Sequence, residues 1–351
     1  MRRLTAAFVA LIACTATAGC ATGFNYTHPL EPRHASDSAA ASQTALAADT
    51  LRVVSFNIAY ARHVDRAIEL LTSESTLRDA DVILLQEMDE DGTRRIAEAV
   101  DAEFIYYAAV RASRTGRDFG NAVLSRWPIV EDAKLILPHR AFLRHTQRIA
   151  TAATIRFGST LVRVYSVHLG TVIEIGGGAR RDQLDAILDD AERYTHVAIG
   201  GDMNSHGVGA LAAERGFAWP TRDGPRTTLI GRLDHIFLKG LVSPDSLASG
   251  TVLDVRDASD HRPVWTVALI PQTRIPPEQQ AGEHDEDDHC CTASRPVRQP
   301  ARCGAGGRTA DQPRRSSRRA HRAAESGRAD GGGYGDDVGN PGPAGHGQAP
   351  P

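Results

Sequence analysis

ASDHRPVWTVALI, residues 258–270, sets an acid and an imidazole side by side at Asp260 and His261, directly before an apolar run. A short run rich in branched residues reads as a buried strand. Two titratable groups at the mouth of such a strand acquire chemical meaning only if other parts of the chain supply partners. The same arrangement recurs upstream. Short apolar runs occupy 51–58 (LRVVSFNI), 81–87 (DVILLQE), 121–125 (NAVLS), 150–157 (ATAATIRF), 160–169 (TLVRVYSVHL), 196–202 (HVAIGGD) and 233–238 (LDHIFL). Helical spacing appears between them. Leu184, Ile187, Leu188 and Ala191 recur at i, i+3, i+4 and i+7, and residues 93–104 and 64–71 are expected to be helical as well. Strands outnumber the interspersed helices, a pattern that predicts sheets packed face to face with helices outside.

Each run delivers a polar side chain where it leaves the core. Asn57 ends the first, and Gln86 and Glu87 end the second. Asn121 opens the third, His168 ends a later one, and Asp202 and Asn204 follow HVAIGG. Asp234 and His235 open HIFL. Taken singly, an Asn or Asp at a strand end is a turn residue bonding its own backbone. As a set, these residues have a specific chemistry. Glu87 with a second carboxylate and an amide oxygen forms an all-oxygen site suited to Mg²⁺, with Mn²⁺ the alternative. An Asp–His pair supplies a base near neutral pH, a contribution of about 10²–10⁴-fold in rate. A second imidazole and the asparagine amides can donate to phosphate oxygens as charge builds up. Together they describe hydrolysis of a phosphate ester by a metal-assisted, water-derived nucleophile.

Bulk properties narrow the field. The chain has 351 residues and a formal net charge of −3. Its outer segments are charge-balanced, so the acidic excess lies in the body. A dedicated nucleic-acid binder shows a basic stripe instead. The five cysteines are Cys14, Cys20, Cys290, Cys291 and Cys303. The body between them can hold neither a disulfide nor a cysteine-ligated zinc, and must be stabilised by its own core.

With these segments in hand, the chain resembles the endonuclease/exonuclease/phosphatase superfamily, whose best-known fold is that of pancreatic deoxyribonuclease. SFNI, LLQEMD, GNAVLSRWPI, YSVHLG, IGGDMNS, RLDHIFL and SDHRPVW carry the resemblance across residues 55–265. It implies a four-layer α/β sandwich, two packed and mainly antiparallel sheets flanked by helices, with the site at one end. It also implies roles. Glu87 would ligate the metal, with Asn57 and Asp260. Asp234 would orient His261, the base or transition-state stabiliser. Asp202 would position the attacking water or itself act as the base. Asn204 and His168 would hold the scissile phosphate, and Asn121 and Arg148 would contact substrate. Two departures stand out. Ala59 occupies a position where some nucleases of the family carry an acid. The carboxylate that partners the His168-like residue in pancreatic deoxyribonuclease has no clear match.

The ends of the chain read differently. Residues 1–20 form an export signal, with Arg2 and Arg3 before an apolar stretch too short to span a membrane. Cys20 follows Ala18 and Gly19 as the cysteine of a bacterial lipobox does. The expected product is periplasmic or cell-surface and lipid-anchored through Cys20, or else secreted. Residues 21–50 are expected to be a disordered tether, 51–271 the folded domain and 272–351 a disordered low-complexity tail. The expected activity is that of a monomeric Mg²⁺-dependent phosphoesterase. Its substrate would be a lipid head group, a small phosphate ester or nucleic acid. The alternatives are a DNA or RNA nuclease, and a catalytically silent binding module of the same fold.

Overall fold

The computed structural model describes residues 23–36, 49–113, 115–243 and 248–271. The expected export signal, Cys20 and the tail from 272 lie outside the described residues. In chain order the elements are β1 (Gly23–Asn25), β2 (Arg33–Ala35), β3 (Thr50–Asn57), α1 (Val64–Ser73), β4 (Val82–Met88), α2 (Glu90–Ala99), β5 (Glu103–Ala112), β6 (Asp118–Ser125) and β7 (Ile129–Ile136). There follow β8 (Ile149–Phe157), β9 (Thr160–His168), α3 (Gly177–Ala191), β10 (Val197–Asp202), α4 (Gly209–Glu214), β11 (Asp234–Lys239), β12 (Ser249–Thr251) and β13 (Val264–Leu269).

Two sheets form among the described residues. One runs β1-β5-β6-β4-β3-β13-β12, with β2 also on β5, and the other runs β11-β10-β9-β8-β7. The pairs β3–β4 and β9–β10 are parallel and all other pairs are antiparallel. Alternation along each strand sorts side chains into layers. Leu51, Val53, Leu84 and Val123 meet Ala153, Val162, Val164 and Ile236 in the core between the sheets. Val54, Phe56 and Leu85 face outward onto Leu70 and Leu71 of α1 and Ile96 of α2. On the far side Tyr165, Val167 and Ile199 pack on Leu184, Ile187 and Leu188 of α3. The result is the expected four-layer sandwich. Because the central strands are covered on both faces, they read as nearly continuous apolar runs.

Two expectations need correction. Residues 23–25 and 33–35 are not tether but strands on the edge of the larger sheet. The Lys134 ammonium donates to the carbonyls of Tyr26 and Glu31, each at 2.8 Å, and the Asn25 side chain accepts from the Gln147 N–H at 2.9 Å. The helix expected over 93–104 ends at Ala99. Asp101 turns left-handed with φ of 54°, and the Ala102 N–H closes back on the Ala97 carbonyl, a Schellman-type stop. This releases Glu103 and Phe104 to begin β5. Along 180–184 in α3, Arg181 and Asp182 are exposed. Arg180 and Gln183 are buried, and Gln183 joins the Gly170 N–H to the carbonyls of Pro138 and His139.

Candidate active site

Strand direction and register assemble the site. The parallel pairs bring the C-terminal ends of β3, β4, β9 and β10 to one edge of the sandwich. The antiparallel partners β11 and β13 begin at that edge. Within the smaller sheet, Asp202 lies in register with His168 on one side and Asp234 on the other. Within the larger, Asn57 pairs with Gln86. Beyond Gln86, a bulge between Leu85 and Met88 interrupts the ladder, and Glu87 adopts a left-handed φ of 59°. Bulges of this kind re-aim a side chain, and a non-glycine residue in that region is strained.

A buried polar seam locks the two sheets together beneath these ends. Gln86 Nε2 donates to Ser166 Oγ at 3.0 Å, and Ser166 Oγ donates to the Leu85 carbonyl at 2.8 Å. Asn121 Nδ2 donates to the carbonyls of Ile149 at 2.9 Å and Ser166 at 3.3 Å. Asn121, expected at the substrate, therefore has its amide committed to the other sheet, and its side chain is buried.

Above the seam, His261 Nδ1 lies 2.9 Å from Asp234 Oδ2, and its Nε2 lies 3.7 Å from Asp202 Oδ2. Burial disfavours a charged His261, but Asp234 and Asp202 outweigh it and hold its pKa well above the ordinary value. Asp202 accepts the Asn204 N–H at 2.9 Å and the Asn57 amide at 3.2 Å. Burial, with Asp234 and Glu87 adding to it and His261 opposing, pushes Asp202 up to about 7. His168 Nε2 stands 3.5 Å from Asp202 and 3.9 Å from Glu87. Burial first, then the Arg148 guanidinium, drives His168 well below the usual imidazole range, so it is neutral. Arg148 lies 3.2 Å from the His168 ring nitrogens. It is in turn bound to Glu174 at 2.7 Å. Thus the place where a carboxylate partner for His168 was sought holds an arginine, with the carboxylate one step further back.

Asn57, Asp260 and Asn204 are placed as follows. Asn57 Oδ1 accepts the Ala59 N–H at 3.0 Å, which fixes the side-chain amide nitrogen toward the carboxylates of Asp202 and Glu87. A second lone pair on that oxygen remains for a cation. Asp260 is exposed at the rim, close enough to Glu87 to raise its pKa. The Asn204 side chain donates to the Leu169 carbonyl at 3.0 Å and its backbone is left-handed, with φ of 49°.

A metal finds two candidate positions. Asp202, Asp234 and His261 offer ligand atoms within 4.8 Å of one another. The hydrogen bond to Asp234 already occupies His261 Nδ1, so this cluster reads as a proton relay. The oxygen set of Glu87, Asp260 and Asn57 suits a hard divalent cation better. Glu87 itself supports the fit: burial pushes its pKa up, His261 and Arg148 relieve it only in part, and a buried, under-compensated carboxylate favours a cation beside it.

Sequence reasoning missed three neighbours. Glu174 gave no signal, because it stands at no strand end and its partner Arg148 is 26 residues away in sequence. Tyr60 and Phe119 meet in a tilted contact with ring centroids 5.3 Å apart, and Phe119 meets His168 in another at 5.8 Å, giving the site an aromatic wall. Tyr60 sits in a run of three left-handed residues, Ala59 to Ala61.

A family model described as Endonuclease/Exonuclease/phosphatase family matches residues 54–261. The chain belongs to the endonuclease/exonuclease/phosphatase family. Members of this family hydrolyse phosphoester bonds with the aid of a divalent metal. Similar solved structures include an endonuclease/exonuclease/phosphatase from Beutenbergia cavernae DSM 12333, at 21% identity over 64% of this chain and 72% of that one, with a TM-score of 0.52. A family member from Bacteroides vulgatus aligns at 14% identity over 64% of this chain and 100% of that one, with a TM-score of 0.52. TDP2 of D. rerio, complexed with single strand DNA product, aligns at 18% identity over 63% and 99%, with a TM-score of 0.51. At these identities the likeness is one of fold. No curated protein matches the chain at a significant level.

Proposed function

We propose that this family member is an exported, Mg²⁺-dependent phosphoesterase that hydrolyses a phosphodiester or phosphomonoester by in-line attack of water. One observation carries the reading. Asp202 lies between two imidazoles of opposite character, a neutral His168 at 3.5 Å and a charged His261 at 3.7 Å. Proton acceptor, neutral donor and cationic donor thus face one small volume, which is what a phosphoryl group gaining charge requires.

A divalent cation held by Glu87, with Asp260 and Asn57, would polarise a phosphoryl oxygen. The chain's own residues account for the rest. Asp202, with a pKa of about 7, is poised to accept the proton of the attacking water near neutral pH. His261, kept protonated by Asp234, donates through Nε2 to a phosphoryl or leaving oxygen. The raised pKa of Asp202 and the protonated state of His261 favour Asp202 over His261 as the base. Arg148 donates to one His168 nitrogen, so the other carries the proton and can donate to phosphate. Export is supported by the charged and apolar pattern of residues 1–20.

The test is a substrate panel of bis-p-nitrophenyl phosphate, DNA and phospholipid, with Mg²⁺, Mn²⁺ or chelator. Turnover of at least one ester is expected with Mg²⁺ and none with chelator. Glu87→Ala and His261→Ala are each expected to lower kcat by about 10²–10⁴-fold. Cleavage of none of these substrates, or full activity in either variant, overturns the reading.

A further inference from the structure

Three loops surround the mouth of the site, and each carries a pair of large, exposed apolar side chains. Phe142 and Leu143 lie between β7 and β8, Val172 and Ile173 between β9 and α3, and Leu229 and Ile230 between α4 and β11. All six are between 61% and 93% exposed. Hydrogen bonds tie the first two loops to one another and all three to the site. The Phe142 N–H donates to the Glu174 carbonyl at 3.0 Å, and the Glu174 carboxylate holds Arg148 against His168. On the other flank, Thr227 Oγ1 accepts the Asp234 N–H at 3.2 Å, and the Thr227 carbonyl accepts the N–H of Arg262, next to His261.

The charge of these loops is opposite to that of the whole chain. Arg140, Arg144, Arg226 and Arg232 interleave with the apolar residues. Across 138–146, 170–178 and 224–232 the only acid is Glu174, and Arg148 neutralises it. Single exposed hydrophobic residues need no explanation. Three pairs around one opening, set among arginines in a protein of net charge −3, mark an interaction surface.

We propose that these loops form a membrane-docking rim that seats the mouth of the site on an anionic phospholipid surface. Apolar side chains of this kind enter the boundary between head groups and acyl chains, and the arginines meet lipid phosphates. Five of the six are aliphatic and have no ring face on which a base could stack, which favours lipid over single-stranded nucleic acid as the occupant. The start of the folded chain lies beside the same rim. Asn25 binds the His145 carbonyl at 2.7 Å and the Gln147 N–H at 2.9 Å. A lipid on Cys20, five residues earlier, would be within about 18 Å of residue 25 even with the chain fully extended.

The inference concerns binding and does not depend on the hydrolytic step, so its test uses no turnover as its main readout. The full chain carrying Cys20→Ser, and hence no lipid at that site, is floated with vesicles of phosphatidylcholine and phosphatidylglycerol. Flotation is expected. The combination Phe142→Ser, Leu143→Ser, Leu229→Ser and Ile230→Ser is expected to lower vesicle partitioning by about tenfold or more. A circular-dichroism melt like the parent's confirms that this variant is folded. Arg140→Gln with Arg226→Gln, which removes two exposed charges and the Arg140–Gln147 hydrogen bond, is expected to weaken binding to the anionic vesicles and not to pure phosphatidylcholine. The proposal is overturned if the parent does not float, or if neither variant loses partitioning. It is also overturned if the serine variant instead loses affinity for a single-stranded oligonucleotide while keeping its hold on vesicles.

Discussion

His261 and Asp202 set the expected pH behaviour. Asp202 must be ionised to accept a proton, and burial raises it to about 7. The acid limb of a kcat/KM profile is therefore expected near that pH, moving lower as Mg²⁺ saturates, because added positive charge favours the carboxylate. His261 must stay protonated to donate, and Asp234 and Asp202 hold it above its ordinary value against the effect of burial. Its contribution to stability is fully present below the unfolded pKa of about 6.5 and is lost as pH rises through the raised folded value. Asp234→Asn should shift the alkaline limb of activity toward neutrality and flatten the alkaline decline in Tm. Unchanged alkaline limbs in both measurements would show that Asp234 does not govern His261. At this scale the sequence was informative wherever a residue stood at a strand mouth, as Asp202, Asp234, His261 and Glu87 do. It was misleading at Asn121. An asparagine reaching into a pocket and one reaching across to a neighbouring sheet have the same sequence signature, and only the distances to Ile149 and Ser166 separate them.

Strands β9 and β10 carry His168 and Asp202 side by side, and their close approach depends on glycine. A Cβ on Gly201 would overlap the Val167 carbonyl of β9. Gly201→Ala must therefore push β10 away from β9 at the residue next to Asp202. A loss of about 1–3 kcal/mol in chemical denaturation is expected, together with a fall in kcat larger than any change in KM. Wild-type stability in this variant would show that the sheet yields locally. The main strands and α1 were readable because burial on both faces leaves a continuous apolar signature, and because α1 presents one apolar stripe to the sheet. By contrast, β5 was partly absorbed into the preceding helix, since Ile96, Ala97, Val100 and Phe104 continue a helical spacing that only the left-handed Asp101 interrupts. Strand β7, with Glu131, Asp132 and Lys134, had no apolar run to mark it.

The segment from 23 to 36 links the two sheets of the sandwich. It pairs with β5 on the larger sheet, and its carbonyls bind Lys134 on the smaller one. Arg33 adds a bidentate contact to Asp132, which Tyr107 also holds. Burial pushes Lys134 down to about 8, so its charge depends on those carbonyls for compensation. Deleting residues 23–36 strands a buried ammonium and uncovers the edge of β5. A lower Tm and a tendency to associate through that edge are expected, measured by calorimetry and light scattering. A deletion variant as stable as the parent and no more associated would return this segment to the role of a tether. The alternation of apolar runs with polar strand ends determined the fold class and marked most of the residues that gather at the candidate site, because burial and period-two geometry are written locally. Which side chains meet was decided by the tertiary structure. The approach of Glu87 to His261 depends on strand direction and register, the Arg148–Glu174 support of His168 on two loops closing together, and the apolar rim on three. Contacts between residues distant in sequence leave no periodic trace along the chain.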